Sequence, residues 1–321
     1  MDNYRDYFNR EELIKALAQA PYSPGQLGAS GIFETVPLGS TTMGIEIETK
    51  DAGRVLSAIS RGAPRQNERL DKRSVVTFTT QSFGDQGAVM ADEVLNARAA
   101  GPSGAREVIE NRRAKLVAKL RRTMDYTHEK LRMNVLTSPG TTEFGSAASS
   151  VAIAVQTTGT KLRQELFNKI ITPIEAALDG LPFTSIDVWC SDGYWSDLVE
   201  ASSIKETYLN WQAAAELRGD VMAPFSFGGV NWRRYRGTSA CKIPDNQAIA
   251  VPVGVPDTFF AGFAPNDTIE SVGAGALGQP YYMGSKEIKD SQGTKGWEIS
   301  IQSHPKMVCG RPACVIPITK T

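Results

Sequence analysis

The sequence predicts an α+β protein organised around one long helix, with a projecting β-hairpin before it and a late return of the chain into strands. Three observations predict this. Ile109, Leu116, Leu120, Met124, Leu131 and Val135 recur at spacings of four and seven, the period of one helix face. Ile45 and Ile47 alternate with Glu46 and Glu48, and the run 75–80 is rich in β-formers. Trp297, Ile299 and Ile301 alternate with Glu298, Ser300 and Gln302, as in a half-buried strand. At 321 residues the chain exceeds the size at which single cores usually stop growing, so more than one sub-domain is expected.

Residues 1–43 read as an arm. Asn9 followed by Glu12 fits a capping box, Leu13, Ile14 and Leu17 form one apolar stripe, and Pro21 ends the helix. Pro24, Gly25, Gly28 and Gly31 make the next stretch extended. Residues 44–98 read as two strands flanking a charged tip, 61–73, that offers little to a core. Such a ribbon is not stable alone and needs a neighbour to lie on. The long helix over 103–136 is expected to run roughly 45–50 Å. Its other faces carry many Arg and Lys residues, and so narrow an apolar stripe suggests a helix spanning across the structure.

A second helix is predicted over 160–178, with Leu162, Leu166, Ile170 and Ile174 on one face and Pro173 as a kink or break. Ile186 and Val188 suggest a strand. Residues 181–280 mix short strands and helices. Ile249, Val251, Val253 and Val255 alternate, and the prolines between them fit an edge strand. Val315, Ile316 and Ile318 end the chain in a further strand.

Lys+Arg and Asp+Glu both number 35, which argues against a protein whose main task is coating nucleic acid or an anionic membrane. A local basic face is still compatible. No apolar run approaches the roughly 18–20 residues of a membrane span. Residues 1–7 lack the basic start and apolar core of a signal peptide, so a protein made and kept in a cytoplasm is expected. Cys190, Cys241, Cys309 and Cys314 are too scattered for a disulfide framework and read as buried small hydrophobes.

No motif carries chemistry. Gly273, Gly275 and Gly278 match G-x-G-x-x-G, but Pro280 blocks the helix that a dinucleotide site needs. Cys309 and Cys314 lack a second pair for zinc and read as thiols on neighbouring strands. His128 reads as a packing or surface residue of the long helix, and His304 lies at a strand end without a nucleophile elbow. Asp187 and Asp192 flank Trp189 and Cys190 without a pocket signature. The aromatic and arginine residues of 225–237 read as a packed hairpin rather than a nucleic-acid surface. No catalytic, metal or cofactor-binding residue is assigned, no cofactor is expected, and the protein is read as a non-enzyme.

Taken in order, several segments resemble the lambda head-protein E family of tailed-bacteriophage major capsid proteins, nearly end to end. They are Asp125, Thr127, Glu129 and Arg132 in an Asp-x-Thr-x-Glu-x-x-Arg pattern, the strand and turn of 188–195, the Phe-x-Phe-Gly-Gly to Tyr-Arg-Gly segment of 225–237, the 263–267 segment, and Gln302-Ser303-His304-Pro305 with Arg311-Pro312. The resemblance implies the Hong Kong 97 capsid fold. It divides the chain into an N-terminal arm (1–43), an extended E-loop hairpin (44–98), a P-domain with spine helix (99–180), an A-domain (181–280) and a C-terminal return into the P-domain (281–321).

The function it implies is a structural one. Pentamers and hexamers of the chain would form an icosahedral shell, assembled in the host bacterial cytoplasm and then part of the virion. Expected partners are further copies of the chain, portal, scaffolding and decoration proteins, and packaged double-stranded DNA through weak non-specific contact, with no membrane. The basic face of the spine helix is read as pairing with acidic neighbours in preference to DNA. Lys72, at the hairpin tip, is a weak candidate for the inter-subunit cross-links that some relatives of this fold form. Two other readings compete. An encapsulin-like cellular shell would be distinguished by enzyme cargo, and an enzyme using Cys309, Cys314 or His304 by a turnover lost on alanine replacement.

Overall fold

A computed structural model describes residues 8–19, 25–48, 73–99, 105–142, 144–155, 161–204, 223–238, 240–272, 275–291 and 293–320. The hairpin tip 61–72, Lys72 included, Pro21, Pro24, Gly273 and the last residue lie outside them.

The chain begins with helix α1 (Arg10–Gln19) and the short helix α2 (Gln26–Ala29). In α1, Leu13 and Ala16 are buried and Leu17 half-buried, whereas Ile14, expected on the same stripe, is 49% exposed. Strand β1 (Glu34–Pro37) follows. Next comes the ribbon of β2 (Thr42–Glu48) and β3 (Arg73–Thr79), paired antiparallel from Thr42 opposite Thr79 to Glu48 opposite Arg73. The ribbon's base packs Met43, Ile45 and Phe78 on Leu38, Phe260 and Val308, so part of it rests on its own body. Strand β4 (Phe83–Met90), helix α3 (Ala91–Ala99) and helix α4 (Ala105–Thr137) complete the first half.

Helix α4 is the expected long helix, 33 residues and about 50 Å. Its burial is wider than the predicted stripe. Leu120 and Met124 are buried, but Ile109, Leu116, Leu131 and Val135 are only half-buried. The remaining buried positions are Val108, Val117, Asp125, His128, Glu129, Met133 and Leu136. The buried face turns along the helix because α4 lies first on one sheet and then against α2 and a second sheet. In the first half, Val117, Leu120 and Met124 join Ile299 and Ile301 and the α1 residues in one core. In the second half, Met133 and Leu136 join Leu27, Trp189, Tyr235, Ile249 and Val251 in another.

After β5 (Val151–Ile153), the predicted second helix is α5 (Leu162–Leu166), a π-helical turn (Phe167–Ile171) and α6 (Thr172–Leu178). The wide turn sits just before Pro173, whose ring would clash with the carbonyl four residues back in a regular α-helix. Leu162, Leu166, Ile170 and Ile174 stay buried on one face throughout. Strand β6 (Ser185–Cys190) and helix α7 (Asp192–Glu200) follow, then β7 (Phe225–Phe227), β8 (Val230–Arg234), β9 (Gln247–Val253) and β10 (Phe259–Phe263). The chain closes with β11 (Tyr282–Asp290), β12 (Gly293–Ser303), β13 (Pro305–Cys309), a 3₁₀ turn (Pro312–Cys314) and β14 (Ile316–Lys320).

Three sheets and the ribbon result. Strands run β11-β12-β4 beside α4, β1-β10-β13 across its later turns, and β5-β14-β9-β6-β8-β7 in the largest sheet. The expected edge position of β9 is wrong, because it lies between β14 and β6. Its pairing with β14 covers Gln247 to Ala250 only, so Pro252 stands beyond that partner and its missing N–H leaves no gap in the ladder. Strand β9 is buried on both faces. Ala248 and Ala250 face the core under α5, α6 and α7, while Ile249 and Val251 face α2 and α4. Residues 281–321 divide among all three sheets, with β11 and β12 in the first, β13 in the second and β14 in the third.

Candidate functional site

The residues that the sequence groups as Asp-x-Thr-x-Glu-x-x-Arg build a buried polar node on α4. Asp125, Glu129 and Arg132 are spaced i, i+4 and i+7, which places them on one helix face. Asp125 and Glu129 are 4% and 3% exposed. Thr127 lies on another face, and its hydroxyl donates back to the Thr123 carbonyl at 2.9 Å.

Glu129 is the centre of the node. Its carboxylate accepts from the backbone N–H groups of Leu27 at 2.8 Å and Gly28 at 3.0 Å, and from the Tyr235 hydroxyl at 3.1 Å. The Arg132 guanidinium stands 3.7 Å away. The carboxylate thus satisfies orphan donors of α2, a helix too short to satisfy its own. It also compensates a buried negative charge with three hydrogen bonds and a cation, as burial demands. One side chain therefore joins α2, α4 and the strand end after β8. The arm can approach because it offers glycines. A methyl at Gly25 would fall 1.9 Å from the Glu129 carboxyl carbon, and one at Gly28 would fall 2.9 Å from an Arg132 nitrogen.

Tyr235 and Cys241 complete this wall, with hydroxyl and thiol 3.2 Å apart. Burial pushes the Tyr235 phenol far above its usual range, and the neighbouring thiol and carboxylate push the same way. It therefore stays protonated and donates to Glu129. Sequence reading missed Tyr235, Gly25 and Gly28 as partners of the node. The legible signal was the i, i+4, i+7 run of charges on a helix with apolar flanks.

The second half of the node faces the other sheets. The Tyr281 hydroxyl donates to Asp125. His128 is 1% exposed, lies between the rings of Phe263 and Tyr281, and holds its Nε2 2.8 Å from the Ser303 hydroxyl. Burial, with Arg132 nearby, lowers its pKa from 6.5 to about 3. The unfolded ring gains a proton near pH 6.5 and the folded ring does not. Stability is therefore full above that value and falls as pH drops toward about 3, by up to about 1.4 kcal/mol per pH unit. Urea midpoints measured at about pH 7 and about pH 4.5 are expected to show this loss, and His128→Gln to reduce it. An equal loss in the variant would assign the acid sensitivity to other groups.

The remaining candidates are structural pieces. His304 holds Nδ1 2.8 Å from the Ser82 hydroxyl and Nε2 3.4 Å from the Asn266 side-chain oxygen, tying β12, β13 and two loops. Asp187 is buried against Arg233 at 2.8 Å and Asn231 at 3.1 Å. Asp192 is exposed and pairs with Arg234 at 2.7 Å, so the two aspartates do not converge. All four cysteines are buried. Cys309 and Cys314 do not sit on neighbouring strands. Cys309 ends β13 in the core under α4, and Cys314 lies in the 3₁₀ turn against the core under α6. Burial lifts the Cys309 thiol to about 12, far from a nucleophile's range. Gly278 belongs to no helix, and its N–H donates to the Leu38 carbonyl at 2.8 Å. Among the described residues, no group of three or more His, Cys, Asp or Glu converges as a metal site, and no helix is long and apolar enough to cross a membrane.

The sequence profile described as phage major capsid protein E matches residues 9–320. No curated protein matches the chain. Similar solved structures include the capsid of cyanophage P-SCSP1u, at 12% identity over 94% of this chain and 90% of that one, with a TM-score of 0.58. The cyanophage Pam1 capsid is 11% identical over 89% and 87%, with a TM-score of 0.56. The mature capsid of bacteriophage PhiM1 is 10% identical over 94% and 88%, also at 0.56.

Proposed function

The chain belongs to the phage major capsid protein E family and has the fold of tailed-phage capsids, and on that premise we propose how it works as a head-shell subunit. The match of the family profile to residues 9–320 carries this reading. The protein is a structural component of the virion shell. Its copies join as pentamers and hexamers that close into an icosahedral shell around double-stranded DNA. Assembly takes place in the host bacterial cytoplasm, with portal, scaffolding and decoration proteins as partners, and the chain catalyses no reaction.

The parts divide as arm (1–43), E-loop (44–98), P-domain (99–180), A-domain (181–280) and C-terminal return (281–321). The Glu129 node supports treating arm, spine and A-domain as one mechanical unit, since one carboxylate bonds to all three. The outer face of the ribbon leaves Val75 65% exposed, and after β10 Ile269 stands out at 92% at the start of a short helix (Ile269–Val272) and Leu277 at 62% on the loop beyond it. Neighbouring copies would bury such side chains. Many weak interfaces repeated in a closed shell reinforce one another.

Sedimentation and negative-stain microscopy test this with the full chain, expressed alone and with the neighbouring phage genes. Hollow shells or capsomer rings are expected. A uniform monomer or dimer under every condition would overturn the reading.

A further inference from the structure

Near the middle of α4 a cavity of about 330 Å³ opens between α4, α2 and the turn after β8. Arg122, Tyr126 and Arg236 line it beside Glu129, and all three are exposed. Lys119 and Lys130 stand on the same face of α4. Among the described residues none of these four cations has an ion-pair partner. The Glu129 carboxylate does not cancel them, because two backbone N–H groups, Tyr235 and Arg132 already hold it. The cavity therefore offers two guanidinium groups and an aromatic ring, a set that suits a carboxylate with an apolar neighbour.

The same chain carries a knob of the opposite character. After β10, residues 265–272 turn through the short helix Ile269–Val272. Asp267 is exposed, with His304 4.0 Å away and no Lys or Arg partner among the described residues. Ile269 is the most exposed large apolar side chain among them. The Ser271 N–H donates to the Thr268 carbonyl and the two hydroxyls bond to each other, both at 2.9 Å, so the knob is preformed. The other exposed apolar side chains fit the cavity worse. Ile14, Leu95 and Phe167 lie on helices, and an element about 10 Å wide does not enter a space for one or two side chains. Val75 lies on the face of the ribbon, and Leu277 has Ala276 and Gly278 beside it and no acid. Knob and seat stand at one level of α4. Phe263, at the foot of the knob, packs on His128, and the cavity opens at Tyr126 and Glu129, about a third of a turn round the axis. No residue of 265–272 lines the cavity, so the chain does not fill its own seat.

We propose that the cavity seats the 265–272 knob of a second copy of this chain, with Asp267 between Arg122 and Arg236 and Ile269 against Tyr126. The proposal rests on the capsid reading above and names one contact between neighbouring copies. Because knob and seat are different patches, the contact is heterologous, the kind that closes into a ring when the rotation between copies divides a full turn.

The test uses the full chain. Asp267→Arg alone, and Arg122→Asp/Arg236→Asp alone, each set like charges against one another. Each is expected to raise the protein concentration needed for assembly by about tenfold or more. The triple variant restores opposite signs and should assemble near the wild-type concentration. Failure of the triple variant to recover would overturn the proposal. So would assembly blocked by the seat variant but not by Asp267→Arg, which would assign the cavity to another acidic occupant. Position is tested separately with Arg122→Cys/Asp267→Cys shells, oxidised, alkylated and then denatured. They should give a ladder of disulfide-linked copies up to the ring size, whereas either single variant stops at dimers, and absence of the ladder counts against the contact. Wild-type shells with neither recovery nor ladder remove this contact alone, whereas failure of wild type to form shells removes the capsid reading itself.

Discussion

Glu129→Ala is expected to lower folding stability by about 3–5 kcal/mol, the range for removing one partner of a buried charged pair. The loss has identifiable parts. Leu27 N–H and Gly28 N–H lose their acceptor, the Tyr235 hydroxyl loses its own, and Arg132 keeps a largely buried charge with its counter-ion gone. Chemical denaturation of the full chain, held below its assembly concentration, measures the effect. Glu129→Gln should lie between, at about 1–3 kcal/mol, because the carboxamide keeps one acceptor but turns an N–H₂ toward one of the donors. Gly25→Ala adds a distinctive check. In wild type its methyl overlaps the carboxylate, and in the Glu129→Ala background that space is vacated. The two substitutions should therefore cost less together than the sum of their separate costs. An alanine variant within about 1 kcal/mol of wild type would show that the node is dispensable.

Gly278→Ala is expected to cost about 3 kcal/mol or more, at the upper end of overpacking effects. An added methyl would fall 1.8 Å from the Phe263 carbonyl oxygen and 2.7 Å from the Ala264 carbonyl carbon. Both are backbone atoms of the strand end that Leu38 also uses, since Leu38 N–H donates to the same Phe263 oxygen at 2.8 Å. No rotamer change relieves such a contact. Gly275, three residues earlier, is the control. It has φ +55° and open space around its Cβ position, so alanine there should cost only about 1–2 kcal/mol for the left-handed backbone. Similar small losses at both positions would refute the close approach. Within that glycine pattern, Gly278 serves the close approach of its segment to the strand end at Phe263.

The elements that sequence periodicity located well are those whose burial is decided by one neighbour. The stripe of Leu162, Leu166, Ile170 and Ile174 faces a single sheet, so its period survives even through the π-turn at Pro173. The ribbon pairing and the alternation of β12 were legible for the same reason. Helix α4 was legible in extent but not in its faces. Its neighbours change along its length, so half-buried Ile109 and Leu131 read as core while Val117, Met133 and Leu136 went unremarked. The prolines of β9 read locally as edge-strand residues, whereas the end of β14 decides whether Pro252 needs a hydrogen bond.

The sequence by itself determined the family, the mixed helix and sheet content, the spine helix and the absence of a recognisable catalytic motif, because these rest on residue order and short-range period. Only the tertiary structure decided what the Asp125–Arg132 charges do. A carboxylate's partners come from segments about a hundred residues away on either side, Leu27 and Gly28 before it and Tyr235 after it. Hydrogen bonds of that separation leave no periodic trace in a chain, because they depend on where other elements bring their donors.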